Sequence, residues 1–351
     1  MRNGATLSLF LAALAAGGAQ AQPLTFDLGE IVLSPNRTPV ERARTGTSVS
    51  VLDAGALAAA PGGMAAEALA RTPGVSFTPQ GPFGNTGTLR IRGADFRYIA
   101  TYFEGIRIDD PTGTNVFTNM GLIAGPGLGR AEVLRGSQSA LWGGSAVGGV
   151  VTLAGPQVTR EGLAQTFEAE AGGYGTFSTA YALTWKGQGA EVAFGLARFS
   201  TDGYSAASAG TEPDGAASLR ATLSGRVAVS DTVTLGFAGF AQEVRQDFDG
   251  GFPLTDRANR QTNRQGGARV FAEVRAGATR HTVEASAFLV ERIFNTGGVV
   301  NRFDGARLGL AWRGEATVSP ALALLYGIET FEERASYANI PGGRGSTGLT
   351  G

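Results

Sequence analysis

"LRATLSGRVAV", Leu219 to Val229, is the stretch whose reading decides the fold. Side chains alternate between the two faces of an extended strand. Leu219, Ala221, Leu223, Val227 and Val229 therefore share one face, and Arg220, Thr222, Ser224 and Arg226 share the other. The rule recurs in "EVAFGLARF" (Glu191 to Phe199), where Val192, Phe194 and Leu196 oppose small residues and Glu191. It recurs again in "ARLGLAWRGEA" (Ala306 to Ala316), with Leu308, Leu310 and Trp312 against Arg307, Arg313 and Glu315. From about Leu163 onward the chain thus reads as a sheet with one apolar and one charged face.

The connections carry an independent signal. Tight turns at "KGQG", "SD", "AGAT" and "SP" alternate with long polar loops, expected at Phe199 to Gly215, Arg245 to Asn263 and Arg292 to Asp304. Short turns on one side and long loops on the other are the rhythm of outer-membrane barrels. A soluble sandwich also accommodates the alternation, but less readily this rhythm over strands of about 11 to 15 residues, long enough to cross a thin apolar band at a tilt. About nine strands are legible, with a tenth starting near Thr347, whereas bacterial single-chain barrels hold even numbers. The sequence stops at "GSTGLTG", without an aromatic closing strand, and reads as the N-terminal part of a longer protein.

Upstream the pattern differs. Residues 1–21 have the marks of a secretory signal: Arg2, an apolar run from Leu7 to Ala16, and Ala19-Gln20-Ala21 as a cleavage site. Between Gln22 and about Gly155 the chain is mixed. "TSVSVLD" is strand-like, "GGMAAEALARTPGV" places Met64, Ala65, Ala68 and Leu69 at helical spacing before a Thr72-Pro73-Gly74 stop, and "TLRIRG", "IATYFEGIRI" and "RAEVLRG" are strands. This makes a small α+β domain over residues 46–155, after a linker over 22–45.

Composition excludes much chemistry. The chain holds no cysteine and a single histidine, His281, so thiolate nucleophiles, disulfides and histidine-based metal or catalytic sites have no material. The net charge is −1 and the arginines are scattered, which gives nucleic acid no purchase. No apolar run is long enough for a transmembrane helix. "VLRGSQSALWGGSAVGGVVTLAG" (Val133 to Gly155) has the glycines of a phosphate loop or nucleophile elbow but neither motif, and "GPGLGR" (Gly125 to Arg130) does not open a helix after a strand. Neither an enzyme nor a cofactor is expected.

Taken in order, several pieces resemble the TonB-dependent outer-membrane receptors, above all the cobalamin and siderophore receptor group. "EIVLSPNR" (Glu30 to Arg37) resembles the TonB box, and "AEALARTPGV" (Ala66 to Val75) the plug helix and its stop. "LRIRGAD" (Leu89 to Asp95), "YFEGIRI" (Tyr102 to Ile108) and "RAEVLRGSQSALWGGSAVGGVV" (Arg130 to Val151) resemble the plug strand motifs, and "GGYGTFSTAYAL" the first barrel hairpin. Glu104 stands where the family usually has Asp, Ser137 where it has Pro, and Trp142 where it has Tyr. An Asp common between Gly144 and Val147 is missing.

The resemblance implies an α+β plug inside a membrane-spanning antiparallel β-barrel of about 22 strands, of which residues 160–351 supply about nine or ten. It implies a transporter that binds cobalamin or a ferric siderophore at the cell surface of a Gram-negative outer membrane and imports it with energy delivered by TonB. A passive or adhesive surface β-protein is the alternative. Glu30, Ile31, Val32, Leu33 and Ser34 are the expected TonB-interacting strand, able to add to a partner's sheet edge. Arg90, Arg92, Glu104, Glu132 and Arg135 are expected at a polar plug–barrel interface. Ligand contacts are expected from Gln80, Phe83 and Asn85 in one plug loop and from Asp109, Asp110, Asn115, Phe117 and Asn119 in another. Asp247, Asp249 and Asp256 are a calcium candidate without EF-hand spacing.

Overall fold

The computed structural model describes residues 31–32, 40–42, 45–60, 62–208, 210–250, 254–319, 322–340 and 343–350. The signal segment 1–21 and Glu30, Leu33 and Ser34 of the TonB-interacting stretch lie outside them. The remainder of that stretch, β1 (Ile31–Val32), pairs antiparallel with β2 (Val40–Glu41).

The α+β domain begins at β3 (Ser48–Asp53). The Asp53 carboxylate accepts the Ala56 amide at 2.8 Å and so starts α1 (Ala54–Ala58), satisfying a donor that the first helical turn leaves open. The next helix, α2 (Ala65–Leu69), buries Ala65, Ala66, Ala68 and Leu69, and Gly74 at φ 73 turns the chain out of it. A hairpin of β4 (Val75–Pro79) and β5 (Gly87–Ile91) follows, then β6 (Ile99–Phe103) and β7 (Ile106–Arg107). Glu104 and Gly105, at φ 52 and 77, make the two-residue turn between the last two, where both central residues must adopt positive φ.

The domain closes with β8 (Arg130–Arg135), α3 (Ser139–Trp142) and β9 (Gly149–Ala154). Its five-stranded sheet runs β3-β8-β9-β6-β7, and only the β6–β9 pairing is parallel. Leu57, Leu69, Ile91, Ile106, Val133 and Leu153 are fully buried around it. The glycine-rich stretch is a packing device. A side chain at Gly149 would strike the Leu134 carbonyl and Ile91, and the Tyr102 hydroxyl donates to the Trp142 carbonyl at 3.1 Å with the two rings 4.5 Å apart.

The second half is one antiparallel sheet of ten strands in sequence order. They are β10 (Gly162–Ala171), β11 (Phe177–Gly187), β12 (Ala190–Thr201), β13 (Ala216–Ala228), β14 (Val233–Gly250), β15 (Thr255–Ala276), β16 (Thr279–Thr296), β17 (Val299–Ser319), β18 (Leu322–Ile340) and β19 (Gly343–Thr350). This is a partial barrel with the α+β domain against its inner face. The faces separate as the alternation requires: Leu310 is 61% exposed on the outside, whereas Arg220 is 2% exposed on the inside.

Two expected loops are instead strand. Within Arg245 to Asn263, residues 245–250 belong to β14 and 255–263 to β15, and Arg292 to Asp304 is taken up by β16 and β17, which turn at Gly297-Gly298. Polarity misled the reading. Outside an apolar band, paired strands continue in water with charged side chains on both faces, because the ladder satisfies the backbone whatever the side chains are. The outer face changes at one level, where Glu243, Arg264 and Glu291 join across three strands at 2.6 and 2.7 Å.

Leu153 lies at the centre of the α+β domain, so Leu153→Ala should destabilise that domain by about 2–5 kcal/mol, the range for emptying a packed leucine site. Trp142 fluorescence in a background with Trp185→Phe and Trp312→Phe, followed through urea unfolding, reads this directly. An unshifted midpoint would mean that this core does not hold the domain.

Candidate functional site

The site is the seam between the inner domain and the barrel wall. Residues 121–129 ("GLIAGPGLG") cross the inner domain without belonging to a strand, so their carbonyls need partners from elsewhere. Barrel side chains supply them. Arg220 on β13 donates Nη1 to the Ala124 carbonyl at 2.8 Å and Nη2 to the Pro126 carbonyl at 2.6 Å. Gln242 on β14 donates Nε2 to the Leu122 carbonyl at 3.0 Å. Arg307 on β17 donates to the Arg107 carbonyl at 3.2 Å and pairs with Glu333 behind it.

Arg292 on β16 completes the set, meeting the Asp110 carboxylate at 2.8 Å and the Thr112 hydroxyl at 2.6 Å. An arginine suits this work because its planar fork offers several donors at once and keeps its charge when buried. Apolar contacts interleave with these bonds: Phe83 packs 4.6 Å from Phe199 of β12, and Phe103 4.7 Å from Phe240 of β14.

Of the five residues expected at this seam, Glu104 lies on it. Its carboxylate accepts the Gly155 amide at 2.7 Å and faces Arg269 and Arg220 of the barrel. Burial pushes its carboxyl up, against the pull of that amide and those guanidinium groups. Arg135 is turned into its own domain, bonding the Pro73 carbonyl at 2.7 Å and the Ser50 hydroxyl at 2.6 Å. Glu132 pairs with Arg130 at 2.8 Å, Arg90 lies 5.7 Å from the Phe96 ring, and Arg92 is exposed at φ 51. These four were expected to cross to the barrel because they are charged; strand direction sends them elsewhere. The missed barrel residues had one signal, a charge or amide on the inward face of an alternating strand.

The expected ligand residues also divide. Phe83 is 2% exposed and fills the seam, so it offers no face to a ligand. Asp109 is buried and holds Arg107 at 2.7 Å and the Thr118 hydroxyl at 2.9 Å. Asn119 accepts the Gly87 and Gly121 amides at 2.8 and 3.0 Å, which fixes one plug loop against another. Asp110 is occupied by Arg292. Asn85 is half-buried, Phe117 rests edge-on against Phe96 at 4.8 Å, and Gln80 and Asn115 stand in solvent.

The aspartate candidates for calcium are regrouped. Asp247 points to the outer face and pairs with Arg260 at 3.0 Å. Asp249 and Asp256 meet Glu212 from the loop before β13, with carboxylate oxygens all within 4.8 Å of one another. Buried Asp214 adjoins this group, with one oxygen accepting the Ala206 amide at 2.8 Å and the other without a partner. Burial, followed by the charges of Asp249 and Glu212, pushes its carboxyl up to about 6. Glu212 and Asp214 lie 35 to 44 residues before Asp249 and Asp256 in sequence, a gap spanned by the β13–β14 hairpin that brings them back.

Residues 41–150 match the family described as the TonB-dependent receptor plug domain. Over residues 41–150 the chain thus carries a plug domain of the kind found in TonB-dependent receptors, and a partial antiparallel barrel follows it. Among relatives, it is 29% identical over 190 residues to the vitamin B12 transporter BtuB of Photobacterium profundum, covering 52% of this chain and 30% of the relative. It is 23% identical over 321 residues to BtuB of Vibrio vulnificus, covering 87% and 50%. The ferric yersiniabactin uptake receptor FyuA of Yersinia pestis shares the fold with a TM-score of 0.64 at 18% identity, over 84% of this chain and 50% of that one. The copper transporter OprC does so at 0.67 and 14%, over 84% and 47%. The chain spans between 30% and 50% of the length of the curated relatives it matches. Family and barrel together imply the outer membrane.

Replacing Arg220 by Met keeps an apolar stem of similar length and removes both hydrogen bonds. Leaving two buried carbonyls unpaired should cost about 2–6 kcal/mol of local stability, as each orphaned group costs about 1–3. Hydrogen exchange at Gly125 and Leu128 should accelerate accordingly while β8 and β9 stay protected. Unchanged exchange at both amides would mean that Arg220 does not hold this segment.

Proposed function

We propose that this chain is the plug and leading barrel wall of a receptor that binds a scarce, bulky ligand, cobalamin or a ferric siderophore, at the cell surface and admits it to the periplasm under power from TonB. The observation that carries the reading is the seam. A domain packed against a barrel wall through arginines, amides and carbonyls can be shifted at modest cost, since water replaces each lost bond. An apolar seam of the same area would have no such substitute.

In this reading residues 1–21 direct export, and Glu30 to Ser34 adds as a strand to the edge of TonB's sheet through main-chain bonds. The short pairing of β1 with β2 supports a strand habit in this stretch. Two pairs of residues are a small ladder, readily exchanged for a longer one. Deleting Glu30 to Ser34 from the full-length protein should abolish uptake and leave ligand binding at the cell surface unchanged. Persisting uptake would reject TonB coupling and favour a passive surface protein.

The acidic group of Glu212, Asp249 and Asp256, with Asp214 beside it, supports a calcium ion that ties the loop before β13 to the β14–β15 turn. Hard carboxylate oxygens from two chain segments suit that ion. The pH sign follows from the raised carboxyl of Asp214. Its contribution to loop stability is present below the ordinary value of 3.8 and is lost as pH rises through about 6. A bound cation reverses this, because it needs the ionised form. Calcium affinity should therefore rise by roughly tenfold between about pH 5 and about pH 7, and Asp214→Asn should flatten that dependence. Calorimetric titration with calcium at the two pH values measures both; equal affinity at both would remove Asp214 from the site.

A further inference from the structure

The outer face of the barrel wall holds a depression of about 820 Å³, bordered only by residues of β15, β16, β17 and β18. These four strands have paired neighbours on both sides, so the wall is complete here. Strand parity and packing fix the face. Gly266, Leu289 and Ala306 stand in one cross-strand row, on the side opposite Gln242 and Arg307, and Leu289 is 58% exposed. The inner side of the same wall is already filled. A side chain at Gly305 would strike Pro111 and Thr112 of the plug, and neither of these borders the depression.

Floor and rim differ in chemistry. Gly266 and Ala306 keep the floor low, and the next row toward the short turns adds Ala268 and Ala287 beside Leu308. This trough of small side chains runs into the apolar band, where an acyl chain can lie against Leu289 and Leu308. On the side of the long hairpin ends the rim is charged. Arg264 of β15 stands at one end and Arg334 of β18 at the other, with Glu291 and Asp304 between them. Three strand spacings of about 4.8 Å set the two arginines roughly 14 Å apart. Arg264 bonds Glu243 and Glu291, and Arg334 bonds Glu332. Each guanidinium offers five N–H donors, so donors remain at both ends for a further anion.

We propose that this depression seats one molecule of the outer-leaflet glycolipid, an acylated sugar pair with a phosphate at each end. One acyl chain lies over Gly266 and Ala306, and one phosphate meets each arginine. The rim stands on the loop side of the apolar band, which is the level of the outer leaflet. In that leaflet, lipid phosphates are bridged by divalent cations, so its surface presents both signs of charge. The rim continues such a lattice. Guanidinium groups take the place of the cations, and Glu291 and Asp304 take the place of further phosphates. A phospholipid with one phosphate reaches only one of the two arginines. The inference rests on the outer-membrane placement and is independent of what the receptor transports.

Native mass spectrometry of the purified full-length protein tests this, with three lipids titrated in turn: bis-phosphorylated lipid A, its mono-phosphorylated form and phosphatidylethanolamine. The bis-phosphorylated form should bind about tenfold more tightly than either of the others. Arg264→Gln and Arg334→Gln each remove one end of the rim, and each should erase the advantage of the bis-phosphorylated over the mono-phosphorylated lipid. Gly266→Leu fills the floor. A Cβ there meets nothing nearer than the Phe240 carbonyl at 3.5 Å, so the strand accommodates it. This variant should weaken binding of the bis-phosphorylated lipid by about tenfold. Thermal melting of the barrel should be unchanged in all three variants, since each alters only the outer face. Equal binding of the two lipid A forms, tighter binding of phosphatidylethanolamine, or unaltered affinity in both arginine variants would each overturn the proposal. Unaltered affinity in Gly266→Leu would overturn it as well, by placing the lipid elsewhere on the wall.

Discussion

Everything in this molecule depends on how backbone carbonyls of the plug find donors inside a barrel. Residues 121–129 lie in no strand, and burying their carbonyls without partners would cost more than the packing gains. Arg220 and Gln242 resolve this from the wall, with bonds of 2.6 to 3.0 Å to Leu122, Ala124 and Pro126. The barrel's inward face is therefore charged for a reason internal to the protein, and the same charge gives its strands their legible alternation. The plug's irregular segment and the barrel's polar face are two halves of one hydrogen-bonding requirement.

Much of the architecture was legible because two periods dominate it. Leu219 and Arg220 announce a two-faced strand, and Ala65, Ala68 and Leu69 announce a helix. The errors have a common origin in treating polarity as irregularity. Residues 245–250, 255–263 and 292–304 are polar, yet they are strand apart from the Gly297-Gly298 turn, because a hairpin ladder does not care what its side chains touch. The seam was legible in kind and mostly illegible in residue. Arg135 and Glu132 carry charge on plug strands, but which way a strand faces its neighbours is decided by register with β3 and β9, and no local pattern encodes that.

The loop residues teach the same point from the other side. Phe83, Asp109 and Asn119 look like ligand contacts by type, since loops with aromatic and amide side chains often bind. Each instead secures the plug: Phe83 on Phe199, Asp109 on Arg107, Asn119 across two loops. Phe294, Phe303 and Tyr337, whose ring centroids lie 5.8 and 4.9 Å apart in a row, were not legible as neighbours because they lie on three different strands. Only the cross-strand register makes them neighbours.

The strand order of the plug sheet, β3-β8-β9-β6-β7, has a mechanical meaning. The first strand of that sheet, β3, occupies one edge and among the described residues pairs with β8 alone, with Arg135 adding its grip on Ser48 and Ser50. The opposite edge, β7, is moored to the wall through the Arg107 carbonyl and Arg307. Tension entering from the N-terminal end thus meets a sheet that is anchored at the far side and peelable at the near side. Under load such a sheet would shed strands in a fixed sequence, β3 ahead of β8, like a seam opened from its loose thread.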